Sequence, residues 1–142
     1  MEAKNLRIGN YVTWIDEDDP SNAVLTLVGI YLNDAIWVEW TWGDGSNDNT
    51  DCDLETIKGI PITEEWLNKF GFEKKKGSIS YDKDKLSLYF GDTILSDKNG
   101  RTYWNSWAIM EKTPNYIHEL QNLFFAINGS ELESKHFVTY PN

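Results

Sequence analysis

The chain has 142 residues, 14% of them aromatic, and a formal net charge of −10, which suits one domain or two small subdomains sharing a core. An acidic surface repels phosphate backbones and disfavours direct binding to duplex nucleic acid, and the lack of a run of about 18 apolar residues excludes a transmembrane helix. A single cysteine, Cys52, excludes an internal disulfide, and the N-terminus lacks the layout of a signal peptide, so we expect a soluble cytoplasmic protein.

Short strands are predicted throughout the first 60 residues. β-branched and aromatic runs cover residues 6–15, 23–31, 35–42 and 54–60, with turn-forming residues between them. Residues 43–51 are predicted to form a polar loop. Several short strands separated by such turn signals predict a small SH3-like β-barrel over residues 1–60.

A short helix over residues 63–70 is predicted to link the barrel to the rest of the chain. Thr63 suits its N-cap, and Gly71 can end it. Strand-forming runs predict a second set of strands at residues 78–81, 85–90, 92–95, 101–110 and 136–140.

The best-marked element is a long helix over residues 114–128. Thr113 suits its N-cap, Pro114 its first position and Gly129 its C-terminal end. Its apolar side chains recur at helical spacing, and the face they form needs a sheet to pack on. We therefore predict an α+β protein in which antiparallel strands and this helix form a second subdomain over residues 61–142, sharing one core with the barrel.

Three blocks of the sequence resemble a widespread family of small, largely uncharacterised proteins of Bacteroidota and their phages. They are residues 5–12 (NLRIGNYV), 60–72 (IPITEEWLNKFGF) and 116–129 (YIHELQNLFFAING). The family brings no established activity or catalytic residues. Its phage setting implies candidate roles, above all interference with host defence. The Trp- and Asp-rich segment 34–53 departs from the family pattern and is a candidate for a specialised surface.

Aromatic side chains are the candidate ligand-binding residues, because stacking on a nucleobase contributes about 1–3 kcal/mol per base. Alternation along the third strand places Trp40 and Trp42 on its aliphatic face, which favours the core for both, and Trp37 on the other face. Lys74–Lys76 and Arg101 are the cations available to hold a phosphate. Ligands are expected at the barrel rim or at the junction of the subdomains. The predicted pool of site residues is Tyr11, Trp14, Trp37, Trp42, Arg101, Trp104 and Trp107.

The sequence favours a non-catalytic protein without cofactor or metal. It has no nucleophile elbow, no paired-histidine spacing and no phosphate-binding glycine loop, and its only histidines are His118 and His136. Asp44–Glu55 places oxygen side chains at positions of a calcium loop, but Asn49 stands where that motif requires glycine, which favours a solvated loop. The acidic surroundings of Cys52 are expected to raise its thiol pKa, which argues against a nucleophile.

Three functions remain open from the sequence. In the first, a phage-type protein in the host cytoplasm sequesters a nucleotide-like defence signal, with aromatic rings stacking the base and Lys or Arg holding the phosphate. In the second, an acidic decoy mimics nucleic acid and inhibits a host defence protein, since residues 1–59 hold 12 acidic against 3 basic side chains. The third is an accessory or assembly protein that acts by oligomerisation. We expect no membrane partner, and a homo-oligomer is compatible with each function.

Overall fold

A computed structural model of the chain describes residues 1–15, 23–31, 33–74, 80–84, 86–89, 102–104, 107–110 and 114–134. Within these residues the chain forms two antiparallel sheets and two α-helices, so the predicted α+β class is confirmed. No helix in this part of the chain is both long and apolar enough to cross a bilayer. The strands predicted at 92–95 and 136–140 lie outside the described residues.

The first sheet contains five strands from the N-terminal part of the chain. They are β1 (Tyr11–Trp14), β2 (Leu25–Ile30), β3 (Ala35–Thr41), β4 (Asn47–Asp53) and β5 (Ile57–Gly59). Their order in the sheet is β4-β3-β2-β1-β5, with β4 and β5 at the edges. Among the described residues β4 and β5 are not paired with each other, so the predicted SH3-like barrel is not confirmed.

Strand β4 corrects the prediction of a polar loop over residues 43–51. Only the turn at residues 42–46 is a loop, and β4 then pairs with β3 along its whole length. Most β4 side chains are exposed, as expected of an edge strand that faces water. Pairing with β3 thus outweighs the low strand propensity of its Asp and Asn residues.

The second sheet is a five-stranded meander from the later part of the chain. Its strands are β6 (Glu73–Lys74), β7 (Ser80–Lys83), β8 (Leu86–Tyr89), β9 (Thr102–Trp104) and β10 (Trp107–Met110). They follow one another in sequence order across the sheet. Neighbouring strands are antiparallel, as predicted.

Helix α1 (Glu64–Lys69) confirms the predicted linking helix. The Thr63 hydroxyl accepts a hydrogen bond from the backbone N–H of Trp66 at 3.3 Å, which satisfies an otherwise unpaired donor of the first turn. Gly71 has φ +85°, the left-handed conformation that favours glycine after a helix.

Helix α2 (Ile117–Asn128) begins three residues later than predicted, so the start assigned to Pro114 is wrong. The backbone N–H of Ile117 donates to the Ile60 carbonyl at 2.8 Å, and that of Ile62 donates to the Asn115 carbonyl at 3.2 Å. This pairing keeps the chain extended up to the N-cap residue of α2. The predicted end is confirmed, because Gly129 has φ +72°. Thr113 lies outside the described residues.

Buried apolar side chains of the described residues form two clusters. The first, called here the N-terminal core, draws its buried members from the first sheet and its connections: Leu6, Val12, Ala23, Leu25, Leu27, Ile36, Val38, Leu54 and Ile57. The C-terminal core lies between α1, α2 and the second sheet, and Phe70, Leu88 and Leu120 are among its buried members. Strand β1 belongs to both, since Tyr11 is buried in the C-terminal core and Val12 in the N-terminal core.

A buried amide attaches α2 to β1. The Gln121 side chain is 1% exposed, and its Oε1 accepts a hydrogen bond from the backbone N–H of Tyr11 at 2.8 Å. Its Nε2 donates to the carbonyls of Gly9 and Leu132, both at 3.1 Å. One side chain thereby provides partners for three backbone polar groups, two of them within residues 9–11 and one at Leu132.

Replacing Gln121 by methionine keeps a similar volume but removes these hydrogen bonds. We expect Gln121→Met to lower the free energy of unfolding by about 3 kcal/mol, because each buried polar group left unpaired costs roughly 1–3 kcal/mol. Chemical denaturation measures the change. The control is Asn47→Ala on β4, whose bond from the Thr41 hydroxyl is exposed to water and whose loss should cost at most about 1 kcal/mol. Equal losses for the two variants would contradict this role of Gln121.

Candidate functional site

Three tryptophan side chains form a row on one face of the first sheet. Trp14 belongs to β1, Trp40 to β3, and Trp42 follows the end of β3. The ring centroids of Trp14 and Trp40 are 6.3 Å apart with planes at 71°, and those of Trp40 and Trp42 are 6.1 Å apart at 83°. Such edge-to-face contacts are favourable between aromatic rings. These three residues are called the tryptophan row below.

The row continues the N-terminal core to the end of the sheet. Alternation on β3 places Trp40 on the same face as the buried Val38, and alternation on β1 places Trp14 on the face of the buried Val12. Trp14 and Trp40 are half-buried against the N-terminal core, whereas Trp42 is 36% exposed. The core therefore ends in an indole surface that reaches solvent.

A tight turn directly after Trp42 fixes the position of an acidic side chain, that of Asp44. The backbone N–H of Trp42 donates to the Ser46 carbonyl at 2.8 Å. The Asp44 carboxylate accepts hydrogen bonds from the Ser46 hydroxyl at 2.5 Å and from the Ser46 backbone N–H at 2.9 Å. Both bonds lower the pKa of the Asp44 carboxyl, and the bond from the Ser46 hydroxyl has the larger effect. The lowered pKa keeps the carboxylate anionic.

A second carboxylate lies across the strand pair. Asp48 of β4 is directly opposite Trp40 of β3, and directly opposed residues of an antiparallel pair project on the same face. Asp48 thus lies on the face of the tryptophan row, and Asp44 lies in the turn that directly follows Trp42. The sequence from Ile8 to Ile57 holds eleven Asp and Glu residues and no lysine or arginine, so the strands that carry the row supply no cation.

The structure brings together two of the predicted site residues, Trp14 and Trp42, and adds Trp40. Trp37 lies on the opposite face of β3, where it pairs with Gly29 of β2. The sequence signal for Trp40 was the alternation that places it beside Trp42 on one face. Alternation does not show where the core ends, and Trp40, predicted to be core, lies at its edge, partly buried.

Of the remaining predicted site residues, Tyr11 lies in the C-terminal core. Tyr11 is 5% exposed, and its ring stacks on Phe70 within the C-terminal core with centroids 6.1 Å apart. Burial raises the pKa of its hydroxyl. Trp104 and Trp107 are paired residues of β9 and β10 in the second sheet. Arg101 lies outside the described residues.

A surface depression of about 430 Å³ lies elsewhere on the N-terminal part of the chain. It is lined by residues 1–3, Asn33, Asp34 and residues 53–55, and it contains several carboxylates and no aromatic ring. Among the described residues, no group of His, Cys, Asp and Glu converges as metal ligands would. The calcium-loop pattern at residues 44–55 runs instead through a turn and β4, where successive side chains alternate between faces.

The pKa of the Cys52 thiol is raised, as predicted. Burial is the main cause, and the charges of Asp51 and Asp53 add to it. A raised pKa keeps the thiol protonated, and the thiol form is a poor nucleophile.

His118 is a buried titratable group away from the row. It is 4% exposed at the start of α2, and its ring stacks on Tyr116 with centroids 5.8 Å apart. Its Nδ1 has no hydrogen-bond partner among the described residues. Burial lowers the pKa of His118, and the positive charge of the N-terminus lowers it further. The imidazole is therefore held neutral.

This burial of His118 should make stability depend on pH. Near pH 7 the imidazole is neutral in the folded and unfolded states and adds no dependence. As the pH falls below about 6.5, the unfolded state binds the proton first, so the free energy of unfolding decreases. Denaturation between about pH 7 and pH 5 should show a steeper loss for the wild-type protein than for His118→Gln. Parallel pH profiles for the two proteins would rule out this role of His118.

Comparisons of the chain with protein-family models, with curated proteins and with solved structures found no match. The resemblance to small proteins of Bacteroidota and their phages therefore stays a prediction. Any functional assignment has to come from the geometry of the site.

Proposed function

We propose that this chain is a non-catalytic binding protein whose tryptophan row and flanking carboxylates bind a positively charged segment of another protein. The observation that carries the proposal is an indole surface with Asp48 on its face and Asp44 in the turn after Trp42, on strands without lysine or arginine. Aromatic faces attract cations through their negative electrostatic potential, and carboxylates strengthen that attraction. The aromatic faces and the carboxylates therefore both favour a positively charged partner.

An acidic decoy is the form of this function that fits the charge distribution best. A surface that carries carboxylates without cations resembles nucleic acid electrostatically, and it attracts the basic surface that would otherwise hold a phosphate backbone. In the phage setting implied by the sequence resemblance, the partner would be a host defence protein with a nucleic-acid-binding site. Inhibition would then follow from occupation of that site.

Sequestration of a nucleotide-like signal has weaker support. The row offers rings for stacking, but a phosphate beside Asp44 and Asp48 would meet repulsion. Of the cations predicted to hold phosphate, Lys74 lies in the second sheet, 5.7 Å above the ring of Tyr81. The others lie outside the described residues. Nucleotide binding is therefore kept as an alternative outcome of the test below.

We also propose that the first sheet curls into an SH3-like barrel with the tryptophan row at its rim. The support is that, in the part of the chain that the structure describes, all buried members of the N-terminal core come from residues 6–57. A sheet that buries its own face needs strong curvature. The short 3-10 turn Leu54–Thr56, which carries the buried Leu54 between β4 and β5, also suits such a closure.

Binding to a basic peptide and to nucleotides would test the proposed function. Calorimetry should detect binding of a mixed lysine–arginine peptide to the protein at about 50 mM salt. The affinity should fall at least about tenfold at about 300 mM salt, because salt screens the attraction between the charges. Linear and cyclic nucleotides should not bind. Nucleotide binding, or no binding of the peptide at low salt, would overturn the proposal.

Charge variants distinguish binding at the tryptophan row from a general response to the net charge of the protein. Asp44→Asn with Asp48→Asn should weaken peptide binding by about tenfold, because the two carboxylates that attract the peptide at the row are lost. The matched control is Glu73→Gln with Asp84→Asn, which removes the same charge from β6 and from the turn after β7. Equal effects of the two double variants would show that the peptide responds only to net charge.

A further inference from the structure

We infer that the tryptophan row selects arginine over lysine, with a guanidinium plane stacked on Trp42 and its N–H groups donating to Asp44 or Asp48. This inference rests on the proposed function and names the side chain that the site recognises. Its occupant is an arginine-bearing segment of a partner protein.

The orientation of the rings favours a ligand that stacks on one face. Neighbouring planes of the row are turned by 71° and 83°, so a flat group cannot be sandwiched between neighbouring rings. Trp42 is the most exposed member of the row, at 36%. A ligand that needs one face and hydrogen bonds at its edge suits this surface better than one that needs two parallel walls.

Arginine meets both requirements with one side chain. Its guanidinium is planar and weakly hydrated, it stacks on aromatic faces, and its fork of N–H donors matches a carboxylate. A lysine ammonium is compact and strongly hydrated, so it gains less from the indole face. Asp48 lies opposite Trp40, and Asp44 is held by Ser46 in the turn that follows Trp42, so both carboxylates are candidates for these hydrogen bonds.

The molecule already contains one such contact. The guanidinium carbon of Arg7 lies 3.7 Å from the ring centroid of Phe125, while its Nη2 donates to the Glu131 carboxylate at 2.6 Å. Three lysine ammonium groups of the described residues lie farther from the rings they face, at 5.3 Å for Lys69, 5.7 Å for Lys74 and 5.6 Å for Lys83. Arg7 thus combines close stacking on an aromatic ring with a hydrogen bond to a carboxylate. The tryptophan row provides the aromatic and acidic half of the same arrangement.

Peptides of equal length and charge provide the test. One alternates glycine with arginine and the other alternates glycine with lysine, and calorimetry with the full chain measures both. We expect the arginine peptide to bind about fivefold to tenfold more tightly. Trp42→Ala should reduce its affinity to that of the lysine peptide and leave lysine binding nearly unchanged. Trp42→Phe should keep part of the preference, because it retains an aromatic face.

The control is Trp37→Ala on the opposite face of β3, which should keep the preference for arginine. Thermal unfolding of each variant checks that the fold is retained. Equal binding of the two peptides, or an arginine preference that persists in Trp42→Ala, would overturn this inference and leave the proposed function standing. Absence of binding for both peptides would overturn the proposed function as well.

Discussion

Strand β1 contributes to two cores, and the alternation of its side chains determines which core each face of the strand packs against. Tyr11 points into the C-terminal core, where Gln121 binds its backbone N–H at 2.8 Å. Val12 and Trp14 must then lie on the other face, with the N-terminal core. A shift of one residue would bury Thr13 and expose Val12, so the bond to Gln121 fixes the register for both cores.

The candidate site is a consequence of that register. Because Trp14 shares a face with Val12, it meets Trp40 at the end of the core, and Trp40 in turn meets Trp42. Strand β4 adds Asp48 to this face from the edge of the sheet. Acidic side chains on an edge strand also oppose pairing with the edge of another molecule. The same residues that make the surface attractive to a cation thereby disfavour edge-to-edge self-association.

Periodicity and capping residues predicted the elements whose signals are local, such as α1 with its cap at Thr63. They failed where distant backbone pairing decides the structure. The segment 47–53 is polar and became a strand only because β3 provides a partner. The start of α2 was displaced because residues 115–117 bond to the backbone of residues 60–62. Alternation assigned Trp40 to the correct face, but only the folded sheet shows where the core ends.

The central claim is that the tryptophan row is the surface on which a cationic partner binds. The most direct test is to follow the indole N–H resonances of the seven tryptophans by NMR while an arginine-rich peptide is added. The account predicts that the signals of Trp14, Trp40 and Trp42 shift, whereas that of Trp66, buried in the C-terminal core, stays in place. Shifts confined to tryptophans outside the row, or no shift at peptide saturation, would contradict it.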